Sequence, residues 1–139
     1  MQTTSTGDQI NQRIDIQKVG KDFVNYYFTN CKSNFQSIIS SGIFREHTRI
    51  RYKEKEYKNQ ELVNLLSHLN QQLTFILEDI VIMDSGGRRA DILVVGKAQE
   101  ITSLAKTYRF TQYFTIANNK DGNWFLHNSL LSILDIIIR

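Results

Sequence analysis

The stretch KTYRFTQYFTIANNKDGNWFLHNSLLSILD, residues Lys106 to Asp135, decides the fold because it predicts two long strands joined by a polar turn. In its first half, apolar and aromatic residues recur at every second position, which is the spacing of a strand with one buried face. These residues are Tyr108, Phe110, Phe114 and Ile116. The positions between them hold Arg109, Thr111, Tyr113 and Thr115, a mixture that is neither fully polar nor plainly core. This second face of the strand therefore needs a functional explanation.

The length of 139 residues fits one domain, which we place at residues 10–139, after a Thr-rich and Ser-rich segment 1–9 that we expect to be disordered. The formal charge of +3 is too small to indicate nucleic-acid binding unless the charge is clustered. The densest basic run, RIRYKEKEYK (Arg49 to Lys58), is interrupted by Glu54 and Glu56. We interpret the run as a solvated strand. The alternative is contact with phosphate or RNA, and we expect RNA only as an indirect partner.

The single cysteine, Cys31, cannot form an internal disulfide, which suits a reducing compartment. No base or metal ligand lies near it in sequence, so we interpret it as a small core residue. The first residues lack the apolar core of a signal peptide, and no apolar run approaches the roughly 20 residues of a membrane span. We expect an intracellular, soluble protein that contacts no membrane and holds no metal or cofactor.

The order of predicted elements places helices before strands. Apolar residues at helical spacing predict a first helix from Ile10, a short second helix that ends at Gly42 and, after a small hairpin with its turn near Glu54, a third helix in NQELVNLLSHLN. The strands LTFILEDIVIMD and ADILVVGKAQEIT follow, and then the two strands of the opening stretch. This order predicts an α+β domain whose antiparallel sheet is covered by helices on one face.

Three motifs make the interpretation more specific. They are KDFVNYYF (Lys21 to Phe28), RFTQYF (Arg109 to Phe114) and GNWFLHNSLLSILD (Gly122 to Asp135). Together with the position of the hairpin, they resemble the nuclear transport factor 2-like family over roughly Ile16 to Asp135. The resemblance implies a cone, in which three N-terminal helices pack on a curved antiparallel sheet.

Among eukaryotic members, the resemblance is closest to the small subunit of the general mRNA export receptor, which pairs its sheet with the nuclear transport factor 2-like domain of a larger protein. The runs ADILVVGKAQEI and KDFVNYYF carry this likeness. Animal small subunits have an arginine in the last strand that contacts the partner, and the aligned residue here is Ser132. The implied partners are the large receptor subunit and FG-repeat nucleoporins. The implied location is the nucleus and the nuclear pore, with shuttling to the cytoplasm.

A second eukaryotic class is the homodimeric carrier of the GDP form of Ran. Those carriers meet basic side chains of the GTPase with acidic residues, whereas this chain has Lys53 after Tyr52, and Thr102 and Ser103 before the penultimate strand. A Ran carrier is therefore the alternative rather than the main hypothesis.

Bacterial members include small enzymes that use an Asp and His pair inside the cone. This chain has His47, His68 and His127, and Asp91 is the strand carboxylate that we would pair with His127. No two acid or base residues occupy positions that require them to converge. We therefore expect no catalytic residues, and a small cone-pocket enzyme stays an alternative.

We predict that the mixed face of the sheet binds the partner protein, because a solvated face would carry more Lys and Glu. Residues that pack on another part of the same chain, or a partner in a different complex, are the alternatives, and a bulge would exchange the two faces. The predicted partner-binding residues are Arg109, Thr111, Tyr113, Thr115, Ile92, Val94, Ala98, Asn128, Leu130 and Ser132.

Overall fold

A computed structural model describes residues 14–86, 88–103, 106–118 and 122–137, with residues 135–137 described by their backbone alone. Helices α1 to α3 span Ile16–Ser33, Phe35–Ser40 and Asn59–Gln72. Strands β1 to β6 span Phe44–Tyr52, Lys55–Tyr57, Leu73–Asp84, Arg89–Glu100, Thr107–Asn118 and Trp124–Ile137. The segment 1–9 that we expect to be disordered lies outside the described residues.

Helix α1 begins where Asp15 caps it, since the side chain of Asp15 accepts a hydrogen bond of 3.2 Å from the backbone N–H of Lys18. Its buried residues recur every three or four positions and form one face: Ile16, Gly20, Phe23, Val24, Tyr27 and Cys31. The sequence predicted an earlier start at Ile10, but residues 10–13 are not among those described.

The six strands form one sheet in the order β2-β1-β6-β5-β4-β3. Strands β3 to β6 are the predicted antiparallel meander, and the hairpin of β1 and β2 turns at Lys53 and Glu54, both at positive φ. The sheet is mixed rather than wholly antiparallel, because β1 joins β6 in parallel. The predicted α+β cone is confirmed with this one correction.

The core lies between the helices and one face of the sheet, and aromatic rings fill its centre. The ring of Tyr27 lies 5.1 Å from that of Phe114, and the ring of Phe28 lies 6.0 Å from that of Phe110. The cavity that remains beside Tyr27, Phe28 and Gln112 measures about 10 Å³. This cavity has room for about one water molecule.

Gly96 allows β3 and β4 to approach closely at a bulge. A Cβ atom at Gly96 would lie 2.0 Å from the backbone oxygen of Ile76. The register of β3 shifts between Leu77 and Asp79, which leaves Glu78 as an extra residue opposite β4. This bulge brings Glu78 to the side of the sheet that the helices do not cover.

Candidate partner-binding face

The side of the sheet opposite the helices is called the open face here, and β5 runs through its middle. Residues that oppose each other in neighbouring antiparallel strands lie on the same face. Tyr113 therefore lies between Leu93 of β4 and Leu130 of β6. By the same pairing, Thr111 lies between Val95 and Ser132.

Seven of the predicted partner-binding residues lie on this open face: Arg109, Thr111, Tyr113, Thr115, Asn128, Leu130 and Ser132. Thr115 differs from the others because it is only 4% exposed, and its hydroxyl donates a hydrogen bond of 2.8 Å to Asp91. Binding of a partner by these residues stays a prediction.

The prediction that Ile92, Val94 and Ala98 lie on this face is wrong. Ile92 opposes Phe114, and Val94 opposes Gln112, so both point toward the helices. Ile92, Val94 and Ala98 are all completely buried. Their side chains stabilise the fold and cannot contact a partner on the open face.

Several apolar residues on the open face were not among the predicted partner-binding residues. Leu93 and Val95 are the β4 residues that oppose Tyr113 and Thr111. Large apolar side chains of the neighbouring strands extend the surface, namely Val81 and Met83 of β3 and Leu134 of β6. Met83 is 58% exposed and Leu130 is 51% exposed. The result is a contiguous exposed apolar surface, which is typical of a protein-binding site.

An ion-pair network borders one end of this apolar surface. Arg109 donates a hydrogen bond of 2.7 Å to Glu78, the residue that the β3 bulge places here, and the ammonium group of Lys97 lies 3.5 Å from the same carboxylate. These groups are 37% to 44% exposed, so the ion pairs themselves add little stability. They leave Arg109 and Lys97 with a charge partner inside the chain.

Asp91 and its hydrogen-bond donors border the other end. Partial burial by itself would raise the pKa of Asp91, but hydrogen bonds from Ser85, Tyr113 and Thr115 outweigh it. The charge of Arg89 acts in the same direction, so the pKa of Asp91 is lowered. Asp91 is thus an ionised acceptor on the open face rather than a proton donor inside the cone.

The three histidines lie away from the small cavity beside Tyr27 and Gln112. The ring of His127 lies 5.4 Å from that of His47, and partial burial together with the charges of Arg89 and His47 lowers the pKa of His127. His68 is exposed on α3. The small interior cavity is lined by apolar residues, Tyr27, Cys31, Asn70 and Gln112, and no histidine reaches it.

Contacts within the chain block the free edge of β3. Gln17 of α1 donates a hydrogen bond of 2.9 Å to the backbone oxygen of Ile82, and Lys32 donates one of 3.3 Å to that of Leu73. The side chain of Asp79 accepts from the backbone N–H of Ile80. These contacts and the bulge are common ways of preventing strand addition at an edge.

Two hollows lie away from the open face. One, of about 310 Å³, is mainly apolar and is lined by Val19, Phe23, Tyr26, Ile43 and Trp124, with Asp22 and Ser41. The other, of about 360 Å³, lies between Tyr52, the end of α3 and Tyr108, whose hydroxyl donates a hydrogen bond to Glu100. Over the described ranges, no helix is long and apolar enough to cross a membrane. The same residues contain no group of three or more His, Cys, Asp or Glu side chains placed to hold a metal ion.

Solved structures with similar folds include one nuclear transport protein and several others. Nuclear transport factor 2 from Cryptosporidium parvum has a TM-score of 0.73 at 19% identity, covering 86% of this chain and 94% of that one. The yeast Ubp3-associated protein Bre5 has a TM-score of 0.72 at 13% identity, covering 89% of this chain and 100% of that one. A ketosteroid isomerase-like protein from Erwinia carotovora atroseptica has a TM-score of 0.66 at 10% identity, covering 89% and 98%.

No protein-family model matches this chain, and no curated protein matches it. Similarities at such low identity establish the fold and leave the activity open, because this fold carries both enzymes and binding proteins. The chain has the nuclear transport factor 2-like fold.

Proposed function

We propose that this protein is a noncatalytic small subunit that binds, through its open face, the nuclear transport factor 2-like domain of a large nuclear mRNA export receptor. It acts in the nucleus and at the nuclear pore, and shuttles to the cytoplasm. The observation that carries the proposal is the open face itself, an exposed apolar surface around Tyr113 with charged residues at its borders.

The composition of the open face favours a protein partner. Leu93, Tyr113 and Leu130 are adjacent across three strands, and exposed side chains of β3 extend them. An apolar centre with a polar rim is the usual arrangement in interfaces. Since the edge of β3 is blocked, association through the face is favoured over strand addition at that edge.

The small size of the cavity at the centre of the core supports a noncatalytic role. An enzyme that bound its substrate beside Tyr27 and Gln112 would need far more space than the cavity there, which measures about 10 Å³. Asp91 is held by hydrogen bonds on the open face. A cone-pocket enzyme would have to use the hollow beside Tyr108 and Glu100 instead.

The charge next to Tyr52 disfavours the Ran carrier. Lys53 extends over the ring of Tyr52, with its ammonium group 5.4 Å from the ring centroid. A lysine at this position would repel the basic side chains that the acidic residues of Ran carriers attract.

The apolar hollow between α1 and β6 supports nucleoporin binding. Phe23, Tyr26 and Trp124 line a space of about 310 Å³, which lies within the range of known ligand pockets. A phenylalanine side chain of an FG repeat would contact apolar and aromatic groups there. This hollow contains no residue of the apolar centre of the open face, so nucleoporins and the large subunit could bind together.

Affinity capture from nuclear extract tests the proposal. The wild type is compared with a Leu93→Asp, Leu130→Asp double variant, which places two charges in the apolar centre without touching the core. The control is His68→Asp, because His68 is exposed on α3, on the side of the sheet opposite the open face. Circular dichroism checks that all three proteins are folded.

The proposal predicts that the wild type and the control recover a large protein with its own nuclear transport factor 2-like domain, and that the double variant does not. Equal recovery by all three proteins would exclude the open face as the binding surface. Recovery of Ran loaded with GDP in place of the large subunit would support the Ran carrier.

A further inference from the structure

A hollow of about 320 Å³ lies on the open face where β1 meets β6. Arg51 of β1 opposes Leu130 of β6, and Leu130 opposes Tyr113 of β5, so the hollow continues directly from the apolar centre of the face. The residues around it are Arg49, Arg51, Glu56, Tyr113, Asn128, Ser129 and Leu130. A protein that covers Tyr113 and Leu130 also covers this hollow.

The hollow holds two cations and one anion. The Nε atom of Arg49 lies 3.6 Å from Glu56, and a terminal nitrogen of Arg51 lies 3.9 Å from the other oxygen of that carboxylate. Both distances are longer than the 2.7 to 2.9 Å, approximately, of a charge-assisted hydrogen bond. One carboxylate therefore serves two guanidinium groups and satisfies neither of them fully.

The two arginines differ in their other contacts. Arg49 also donates hydrogen bonds of 3.0 Å to the backbone oxygens of Glu46 and Thr48, and its side chain is 33% exposed. Arg51 is 55% exposed, and its approach to Glu56 is its only ion pair within the described residues. Arg51 thus has less compensation inside the chain than Arg49, and less than Arg109 with its 2.7 Å bond to Glu78.

An arginine cannot lose its proton when a partner covers it, so its charge must be compensated at the interface. A carboxylate is the group that a guanidinium binds best, through two parallel hydrogen bonds. We propose that the partner protein of this complex inserts a carboxylate side chain of its own sheet into the hollow, where it pairs with Arg51. This inference rests on the proposed function, since it specifies the chemistry of the partner at the same face.

Carbodiimide cross-linking of the complex between this chain and the large receptor's nuclear transport factor 2-like domain tests the inference. This reagent joins an amine to a carboxylate only when they are in direct contact. Arg51→Lys introduces an amine at the hollow, and we expect mass spectrometry to find residue 51 linked to an Asp or Glu of the partner. Mixing isotopically light and heavy copies of this chain shows whether the linked carboxylate comes from a second copy.

The matched control is Arg109→Lys on the same face. Because Arg109 is already bonded to Glu78, its replacement should link to Glu78 of its own chain. A second variant, Arg51→Glu, should weaken the complex by about thirtyfold or more, because the introduced carboxylate would lie against the carboxylate of the partner and repel it.

A complex in which residue 51 links to no carboxylate of the partner, or only to Glu56 of its own chain, would overturn the inference while the proposed function stands. So would a complex that binds Arg51→Glu as tightly as the wild type. A link between two copies of this chain would overturn it as well, since the occupant would then be the chain itself. If the wild type binds no such domain, the proposed function and the inference both fail.

Discussion

Replacing Ile92 with alanine is expected to destabilise the fold strongly, whereas the same change at the next residue, Leu93, is expected to be nearly neutral. Ile92 is completely buried and opposes Phe114, which is also completely buried. Leu93 is 38% exposed on the other side of the same strand. Truncating a buried isoleucine to alanine costs about 2 to 5 kcal/mol, and a surface change typically costs less than about 0.5 kcal/mol.

Unfolding in guanidinium chloride, followed by circular dichroism, measures the difference. A loss of about 3 kcal/mol with a slope of about 3 kcal/mol per molar would lower the midpoint by about 1 M for Ile92→Ala. Leu93→Ala should leave the midpoint nearly unchanged. A larger loss for Leu93→Ala than for Ile92→Ala would refute the register of β4, and with it the composition of the open face.

Three further outcomes are expected. Gly96→Ala should destabilise the protein by about 3 kcal/mol or more in the same assay, because its Cβ would meet the backbone of Ile76 at 2.0 Å; a midpoint equal to that of the wild type would contradict the close approach of β3 and β4. Because the pKa of His127 is lowered from its ordinary 6.5, the stability that the neutral ring contributes is complete above pH 6.5 and is lost as the pH falls through the folded-state pKa. His127→Gln should therefore flatten the fall in the free energy of unfolding below pH 6.5, and an unchanged slope would count against this. Burial raises the pKa of the Cys31 thiol to about 12, so thiol reagents at pH 8 should label it only after unfolding; fast labelling of the native protein would show that Cys31 is accessible.

Periodicity was sufficient to predict most of the strands. The run LTFILEDIVIMD coincides with β3, Leu73–Asp84, and the turn near Glu54 lies where the hairpin turns. In β5, aromatic residues alternate with Arg and Thr, and the predicted core face containing Phe110 and Phe114 is buried. One strong alternation was enough to orient this strand.

Strand β4 could not be oriented in the same way, because both of its faces are apolar. Ile92 and Val94 lie on one face and Leu93 and Val95 on the other, so hydrophobicity alone does not separate them. The charged residues Asp91 and Lys97 share the phase of Leu93 and Val95, and this signal could have identified the exposed face.

Contacts between distant segments were also beyond the reach of local patterns. The parallel pairing of β1 with β6 joins segments that are far apart in the chain. The bulge at Glu78, which creates its contact with Arg109, depends on the close approach of Gly96 to Ile76. The hollow beside Arg51 follows from both the hairpin and this parallel pairing, so no single stretch of sequence predicts it.

The most direct test of the central claim is the mass of the purified assembly, measured by light scattering after size-exclusion chromatography. The wild type mixed with the nuclear transport factor 2-like domain of the large receptor should elute as a 1:1 heterodimer. The Leu93→Asp, Leu130→Asp variant should elute apart from that domain, with both proteins at their separate masses. Equal masses for the wild-type and variant mixtures would contradict the claim that the open face is the partner-binding surface.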